Sequence, residues 1–353
     1  MGSINDFCCL LLTAYSYCSH RDSSGIPPKG DPAPPAKAEA DSRKHLQDRR
    51  PQPLPGRHRA SRRPHDSDVD RLHPFLGRAG ASGSGLDGRR EVFAGRKILD
   101  VGCAYGGFLV AAKEAGARRV VGVDIDRKLL DLAQLQLDDH HMSGELAIED
   151  ITSEGVSDRW GTFDIVLCND VIEHVTDPLR CAENLASVMK KGGKVFLEIP
   201  NGSSVDFMRK DGHYGLFGLT LLGRSEAERW WRLNYHDDYG VEHYAPLSYY
   251  LGIFSVAGVS LRLLTTVENH DKRMSEISET FDRLEEELAS LERAEAPELV
   301  EAIRRRGGEE ITRFRQLRTR LEGSAIAAER AILADEIFST YGMTFWTLEG
   351  TKL

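Results

Sequence analysis

Cysteine is scarce in this chain and follows no pattern. The six residues, Cys8, Cys9, Cys18, Cys103, Cys168 and Cys181, include no repeated C-x-x-C pairs. That excludes a zinc-ribbon or disulfide framework and points to a reducing compartment. Long apolar runs are missing too: Phe7 to Tyr17 comes nearest and is too short to span a bilayer. Asp6 precedes it, no Lys or Arg lies upstream and no A-x-A site follows, so the parts of a signal peptide are not there. A cytoplasmic protein with no membrane partner is expected. Proline is nearly confined to the start, ten of the fourteen lying in residues 1–90. That stretch also holds 15 Lys+Arg against 10 Asp+Glu, or +5, so with −9 overall the remainder carries −14. The lack of surplus positive charge there argues against a polyanionic partner.

From residue 19 to about residue 88 the chain is rich in Pro, Arg, Ser, Gly and Asp without apolar periodicity. Such a segment cannot bury enough surface to offset the entropy of ordering, so residues 1–88 are expected to be a disordered tail. Arg43, Lys44, Arg49, Arg50, Arg57, Arg59, Arg62 and Arg63 would suit a nucleic-acid-binding arm, and equally a solvated basic tail. Leu72 to Leu76 is where order is expected to begin.

Beyond the tail, strand and helix patterns alternate. Apolar runs lie at Ile98–Val101, Arg119–Val123, Glu145–Ile148, Phe163–Cys168 and Lys194–Ile199; the first stops at Gly102, the next three end at Asp124, Glu149-Asp150 and Asn169-Asp170, and the last is closed by Pro200-Asn201. The spacing predicts helices after the first strand, over Asp126–Leu137 and over Leu179–Met189, with a turn at Lys190-Lys191-Gly192-Gly193. Five such units predict a parallel sheet with helices on both faces. A helix over Pro246–Ala257, a strand Val259–Val267 and a last strand Met343–Leu348 follow.

Between the last two strands, Met274, Ile277, Phe281, Leu284, Leu288 and Leu291 alternate steps of three and four, a coiled-coil-like seam for another helix. Pro297 and Gly307-Gly308 are expected to interrupt it, with a second long helix over Glu309–Ser339. The seam suits a hairpin packed on itself, a substrate lid or a homodimer contact through residues 271–340.

The stretch KILDVGCAYGGFLVAAKEAGA from Lys97 organises the rest. It reads as strand, tight turn, helix, and Gly102, Gly106 and Gly107 let a ligand approach the backbone. The spacing is not the G-x-G-x-x-G of a dinucleotide site, and Asp100 stands where a pyrophosphate would be repelled. A ligand with a cationic amino-acid end fits better. The D-x-G-C-x-x-G arrangement resembles the first motif of class I S-adenosylmethionine-dependent methyltransferases. FDIVLCNDVIEHVTDP and LASVMKKGGKVFLEIPN resemble the fourth motif and the following helix, turn and strand of the ubiquinone-biosynthesis O-methyltransferase-like group. The likeness covers residues 97 to about 201 well, 243–267 loosely, and the tail and insertion not at all.

The resemblance implies a Rossmann-like, doubly wound seven-stranded α/β sheet whose reversed last strand pairs antiparallel with Val259–Val267. The domain would comprise residues 89–267 and 342–353, with a substrate-side cover at 202–245 and a helical insertion at 268–341. S-adenosyl-L-methionine would be the cofactor. Asp124, 22 residues past Gly102, is placed for ribose hydroxyls, and Asp150 for the adenine amino group beside Ile151. By the same resemblance Asp100, Gly102, Cys103 and Gly106 would hold the methionine end, Asp124 and Ile125 the ribose, Asp150 and Ile151 the adenine, and Asn169 the region near the methyl group.

A hydroxyl acceptor needs a base or a metal to take its proton. The cover is dense in aromatic residues, Phe207, Tyr214, Phe217, Trp230, Trp231, Tyr235, Tyr239 and Tyr244, suited either to an apolar acceptor or to packing on the sheet. His213 is the first candidate base and His236, beside Asp237 and Asp238, the second; His243 reads as structural. Asp170, Glu173 and His174, at i, i+3 and i+4, would share a helical face and with a distant histidine such as His213 could hold a hard divalent cation; some relatives use a similar arrangement to hold a metal. Here Asp170 is one methylene short and His174 reads by default as a helix-terminal hydrogen bonder, so no metal is expected. The leading expectation is a methyltransferase acting on an oxygen of a small molecule. An RNA 2′-O-methyltransferase with a divalent metal, a non-catalytic protein using the long helices, and an NAD-dependent dehydrogenase stand as alternatives.

Overall fold

The computed structural model describes residues 92–235, 239–264 and 270–353. The tail, including Arg43–Arg63 and Leu72–Leu76, lies outside the described residues, as do His236, Asp237, Asp238 and the end of the strand expected to reach Val267.

Strands that are apolar throughout are stable only where both faces are covered. Ile98, Leu99 and Val101 are at most 3% exposed in β1 (Lys97–Val101). With β2 (Arg119–Asp124), β3 (Glu145–Ile148), β4 (Phe163–Asn169), β5 (Met189–Pro200), β6 (Val259–Leu263) and β7 (Phe345–Lys352) it forms one sheet in the order β3-β2-β1-β4-β5-β7-β6. The first five strands are parallel, and β7 runs antiparallel to both β5 and β6. The order reverses at β1, so the rim beyond β1 and β4 opens as a ligand crevice.

Helices α1 (Gly107–Glu114) and α2 (Arg127–Asp139) contribute to the apolar cluster on one face of the sheet. Helix α4 (Pro178–Ser187) and, after a short α5 (Val205–Arg209) and an α6 (Arg224–Asn234), helix α7 (Leu247–Val256) contribute to the cluster on the other. A one-turn α3 (Val156–Trp160) precedes β4.

Several expectations are corrected. The turn at Lys190–Gly193 is absorbed into β5, which starts at Met189; Gly192 takes φ +72° and the register against β4 shifts between Phe163 and Ile165. Gly307-Gly308 interrupts nothing. Helix α8 (His270–Ser290) packs on α9, which runs unbroken from Pro297 to Gly323. A Cβ on Gly307 would lie 2.6 Å from Leu288 Cδ1, so the glycine serves close helix approach rather than a break. The helix expected to reach Ser339 stops at Gly323; α10 (Ala327–Ile337) and a π turn (Phe338–Gly342) follow.

The seam residues find partners within the chain. Phe281 stacks on Phe314 with ring centroids 4.2 Å apart, and Tyr341 meets both edge-on. The same apolar cluster takes in Leu219, Trp230, Trp231 and Tyr239 from the cover, so cover and insertion share one core. Arg209 adds a fork of hydrogen bonds onto Glu287 across the two.

Asn201 fastens the end of β5 to the π turn. It is fully buried, its Nδ2 donates to Met343 O (2.7 Å) and Thr340 O (2.9 Å), and its Oδ1 accepts from Ser203 N (3.0 Å). Asn201→Ala would leave buried carbonyls without donors, at about 1–3 kcal/mol for each group. We expect a loss of about 3 kcal/mol in chemical denaturation with the m-value unchanged.

Candidate active site

The turn after β1 is clamped onto the end of β2. Gly102 N and Cys103 N both donate to Val123 O (2.8 and 3.0 Å), Ala104 N donates to Asp124 Oδ2 (3.0 Å), and Asp126 N donates to Asp124 Oδ1 (2.9 Å). Gly102 has φ +70°, and a Cβ there would meet Val171 Cγ2 at 2.3 Å; Gly106 at φ +79° faces Ala133. Both positions demand glycine. Cys103 is buried under this turn.

Asp100 is 2% exposed and its Oδ2 has no hydrogen-bond partner. Burial first, and the charge of Asp124 second, push its carboxyl up to about 8. Asn169, ending β4, has both amide atoms buried and unbonded. Together these groups form a rim of unsatisfied polar atoms around a small-residue turn. Ile125 is 76% exposed beside Asp124. Asp150 is exposed and caps Thr152 through Oδ1, while buried Ile151 is held by Asn184 Nδ2 donating to its carbonyl at 2.7 Å. Every one of these candidates lies at or just past the carboxyl end of a parallel strand.

A second group gathers past β4. Asp170 takes φ +51°, a left-handed conformation rare for aspartate, and the chain then turns so that Glu173 points inward, wholly buried with neither oxygen hydrogen-bonded. Two imidazoles close on Glu173 Oε1: His174 Nε2 at 3.5 Å and His213 Nε2 at 3.3 Å. Their rings meet edge to face, 5.0 Å between centroids. His174 Nδ1 lies 2.8 Å from Gly240 O and so carries the proton that this carbonyl accepts. His213 Nδ1 lies 3.1 Å from Tyr244 Oη, whose own proton goes to Asp211 Oδ2. The His213 Nδ1 is therefore also the donor. In the neutral form both Nε2 atoms then present lone pairs to a carboxylate oxygen.

One donor atom from each of Glu173, His174 and His213 lies within 4.8 Å of the others, the spacing of a metal-binding set. Burial raises the Glu173 carboxyl to about 7, with His174 opposing the rise. Asp170 is pushed up by burial and then by Glu173, against the pull of His213.

Sequence reasoning weighed a cation held by Asp170, Glu173 and His174 with His213 as a distant ligand, but expected no metal because Asp170 is one methylene short and the Glu-His pair is common without one. It missed Asp211, which accepts from His213 N, Tyr214 N (2.7 Å) and Tyr244 Oη and so builds the loop that presents His213. The Asp-Gly-His turn in residues 211–213 was the available signal. His243, expected to be structural, donates its backbone N–H to Glu173 O at 3.0 Å, while its buried Nε2 has no hydrogen-bond partner.

No helix among the described residues is long and apolar enough to cross a membrane. A family model described as a methyltransferase domain matches residues 57–251. The chain is 35% identical over 120 residues to a ubiquinone biosynthesis O-methyltransferase of Aromatoleum aromaticum, covering 32% of this chain and 47% of that protein. It is 37% identical over 106 residues to one of Ralstonia nicotianae, covering 29% and 42%. The chain thus spans about half the length of these curated relatives. Among solved structures, an S-adenosylmethionine-dependent methyltransferase of Mesorhizobium loti aligns over 57% of this chain and 94% of its own, with 20% identity and a TM-score of 0.40. With the reversed seventh strand and the glycine turn described above, the match over more than half of the sequence means that the chain belongs to the methyltransferase-domain family, within the class I S-adenosylmethionine-dependent superfamily.

Proposed function

We propose that this protein transfers a methyl group from S-adenosylmethionine to a hydroxyl oxygen of a small molecule, beside a divalent cation held by Glu173, His174 and His213. The observation that carries the cation is the convergence of two imidazole lone pairs on one buried carboxylate oxygen, 3.3 and 3.5 Å away. With the Glu173 carboxyl ionised, three acceptors face one another; one hard cation satisfies all three, and the Nδ1 hydrogen bonds to Gly240 and Tyr244 already fix the rings for it. This departs from the expectation of no metal, and it makes His213 a cation ligand rather than the free base. The names of the matched relatives support oxygen as the acceptor atom.

Under this reading Asp100, Gly102, Cys103 and Gly106 hold the methionine end of the cofactor. Asp124 and Ile125 hold the ribose, Asp150 and Ile151 the adenine, and Asn169 borders the methyl group. Methyl transfer needs alignment of nucleophile, carbon and sulfur more than covalent help. A bound divalent cation supplies Lewis acidity that lowers the pKa of a hydroxyl. The chain supplies the rest: Asp100 balances the cofactor's ammonium, and the tilted ring cluster of Tyr214, Trp231 and Tyr239 excludes water on the cover side. A cavity of about 320 Å³ lined by Leu222, Arg224, Tyr239, His243 and Tyr244 adjoins the cation group through Tyr244 and has room for an acceptor with one ring. The unpaired thiols of Cys103, Cys168 and Cys181 suit a cytoplasmic setting.

The test is methyl transfer from labelled S-adenosylmethionine into fractionated metabolite extract, with chelator and then with added Mg²⁺ or Mn²⁺. We expect label in a hydroxyl-bearing small molecule, lost with chelator and restored by the ion. Transfer indifferent to chelator would remove the cation, and failure to bind S-adenosylhomocysteine would remove the enzyme.

A further inference from the structure

Glu198 occupies a place where a strand of this kind should be apolar. It sits in β5, between β4 and β7, paired with Asn169 on one side and Thr347 on the other. Its neighbours Leu197 and Ile199 are fully buried in the main core. Glu198 itself is 1% exposed, and neither of its carboxylate oxygens has a hydrogen-bond partner. A buried carboxylate without donors is costly unless a cation offsets it.

Among the described residues, no ion pair joins Glu198 to a lysine or arginine. Asp170 N donates to Glu198 O at 3.0 Å, which fixes Glu198 beside the strained turn that leads to Glu173. Asp170 and Glu173 are the charges that bear on Glu198 most, and both are acidic. The ion-pair partners of Glu173 among the described residues are the two imidazoles, each of which already has its Nδ1 proton committed. Three carboxyl groups, Glu173 and Glu198 buried and Asp170 half-buried, therefore share one region with two imidazole rings; burial and mutual repulsion push all three up, so their ionised forms are favoured only by added positive charge.

We propose that Glu198 completes the negative field that retains the divalent ion, standing behind the donor set of Glu173, His174 and His213 rather than within it. Its oxygens lie outside the group of donor atoms that approach one another within 4.8 Å, so its part is charge and not coordination. It is a positioning residue for the ion, contributed by a different strand from the turn that holds the ligands. The inference rests on the cation reading of the site.

The experiment is calorimetric titration of the full-length protein with Mn²⁺ alone, for wild type, Glu198→Gln and Glu198→Asp, together with melting of each protein without metal. Glu198→Gln is expected to weaken Mn²⁺ binding by about 10–100-fold, the usual range for residues just outside a metal's ligands. Its metal-free melting temperature should equal or exceed that of wild type, because a buried carboxyl without hydrogen-bond donors, disfavoured when it ionises, is gone. Glu198→Asp, which keeps the charge, should bind Mn²⁺ within a few-fold of wild type. If Glu198→Gln does not fold, Glu198→Met, uncharged and of similar length, takes its place. Wild-type affinity in the uncharged variant overturns the proposal. So does equal loss in the Asp variant together with a lowered metal-free melting temperature, the signature of a merely structural residue. Wild-type protein that binds no Mn²⁺ overturns the cation reading itself, and this proposal with it.

Discussion

Glu173→Gln is expected to abolish divalent-cation binding and to lower methyl transfer by on the order of 100-fold or more, while S-adenosylhomocysteine binds as before. The reason lies in the donor count. Glu173 presents an oxygen to the Nε2 atoms of His174 and His213. Glutamine in the same space can present N–H instead, giving those lone pairs a proton to accept and leaving no vacancy for an ion. The metal-free variant should consequently melt higher than metal-free wild type. The pH dependence follows from the same group. The Glu173 carboxyl stands at about 7 in the folded chain, against about 4.3 when unfolded. Its contribution to metal-free stability is therefore complete below the unfolded value and is lost as pH rises through about 7. Cation affinity runs the other way, increasing as that proton leaves. Melting curves from pH 5 to 8, with and without Mn²⁺, should diverge in wild type and lose this divergence in Glu173→Gln. A variant that keeps wild-type Mn²⁺ affinity would refute the assignment.

Asp100→Asn should weaken S-adenosylhomocysteine binding by about 10–100-fold, the usual worth of a hydrogen bond to a charged group. Asp100 is buried with one oxygen unbonded, and burial holds its carboxyl up to about 8. A ligand ammonium beside it favours the ionised form, so binding at neutral pH must expel a proton. Affinity in wild type is expected to rise from pH 7 to 9, by at most about tenfold per unit. In Asp100→Asn the proton is no longer there to expel and the slope should flatten. Calorimetry at pH 7 and 9 reads both effects. Asp124 makes a poorer probe, because its carboxylate also holds Ala104 N and Asp126 N and its loss would disturb the turn itself.

What the sequence made legible is local. Asp124, Asp150 and Asn169 follow apolar runs and Asp100 stands in the last two residues of one, and strand ends of a parallel sheet share a rim whatever the rest of the chain does. The convergence of His213 on Glu173 is not local: it needs the cover to fold back, with Asp211 and Tyr244 shaping the loop that carries the ring. Gly307-Gly308 read as a break because glycine is a poor helix former, and packing against Leu288 overrode that preference. The Lys190–Gly193 turn failed for a similar reason, since β5 accommodates it as an irregularity against β4. Glu198 was invisible because alternation in a strand makes an acidic residue look solvent-facing, and only the neighbouring strands reveal that it is enclosed.

The aromatic cover and the long helices are knit by one apolar cluster, with Trp230 and Trp231 on one side and Phe281, Ile303 and Phe314 on the other. Anyone grafting either segment onto another scaffold would need to exchange both as a single cassette, because a chimera cut between them exposes a greasy seam. Mutations along the helical arm should accordingly register in the packing of the aromatic segment, far away in sequence.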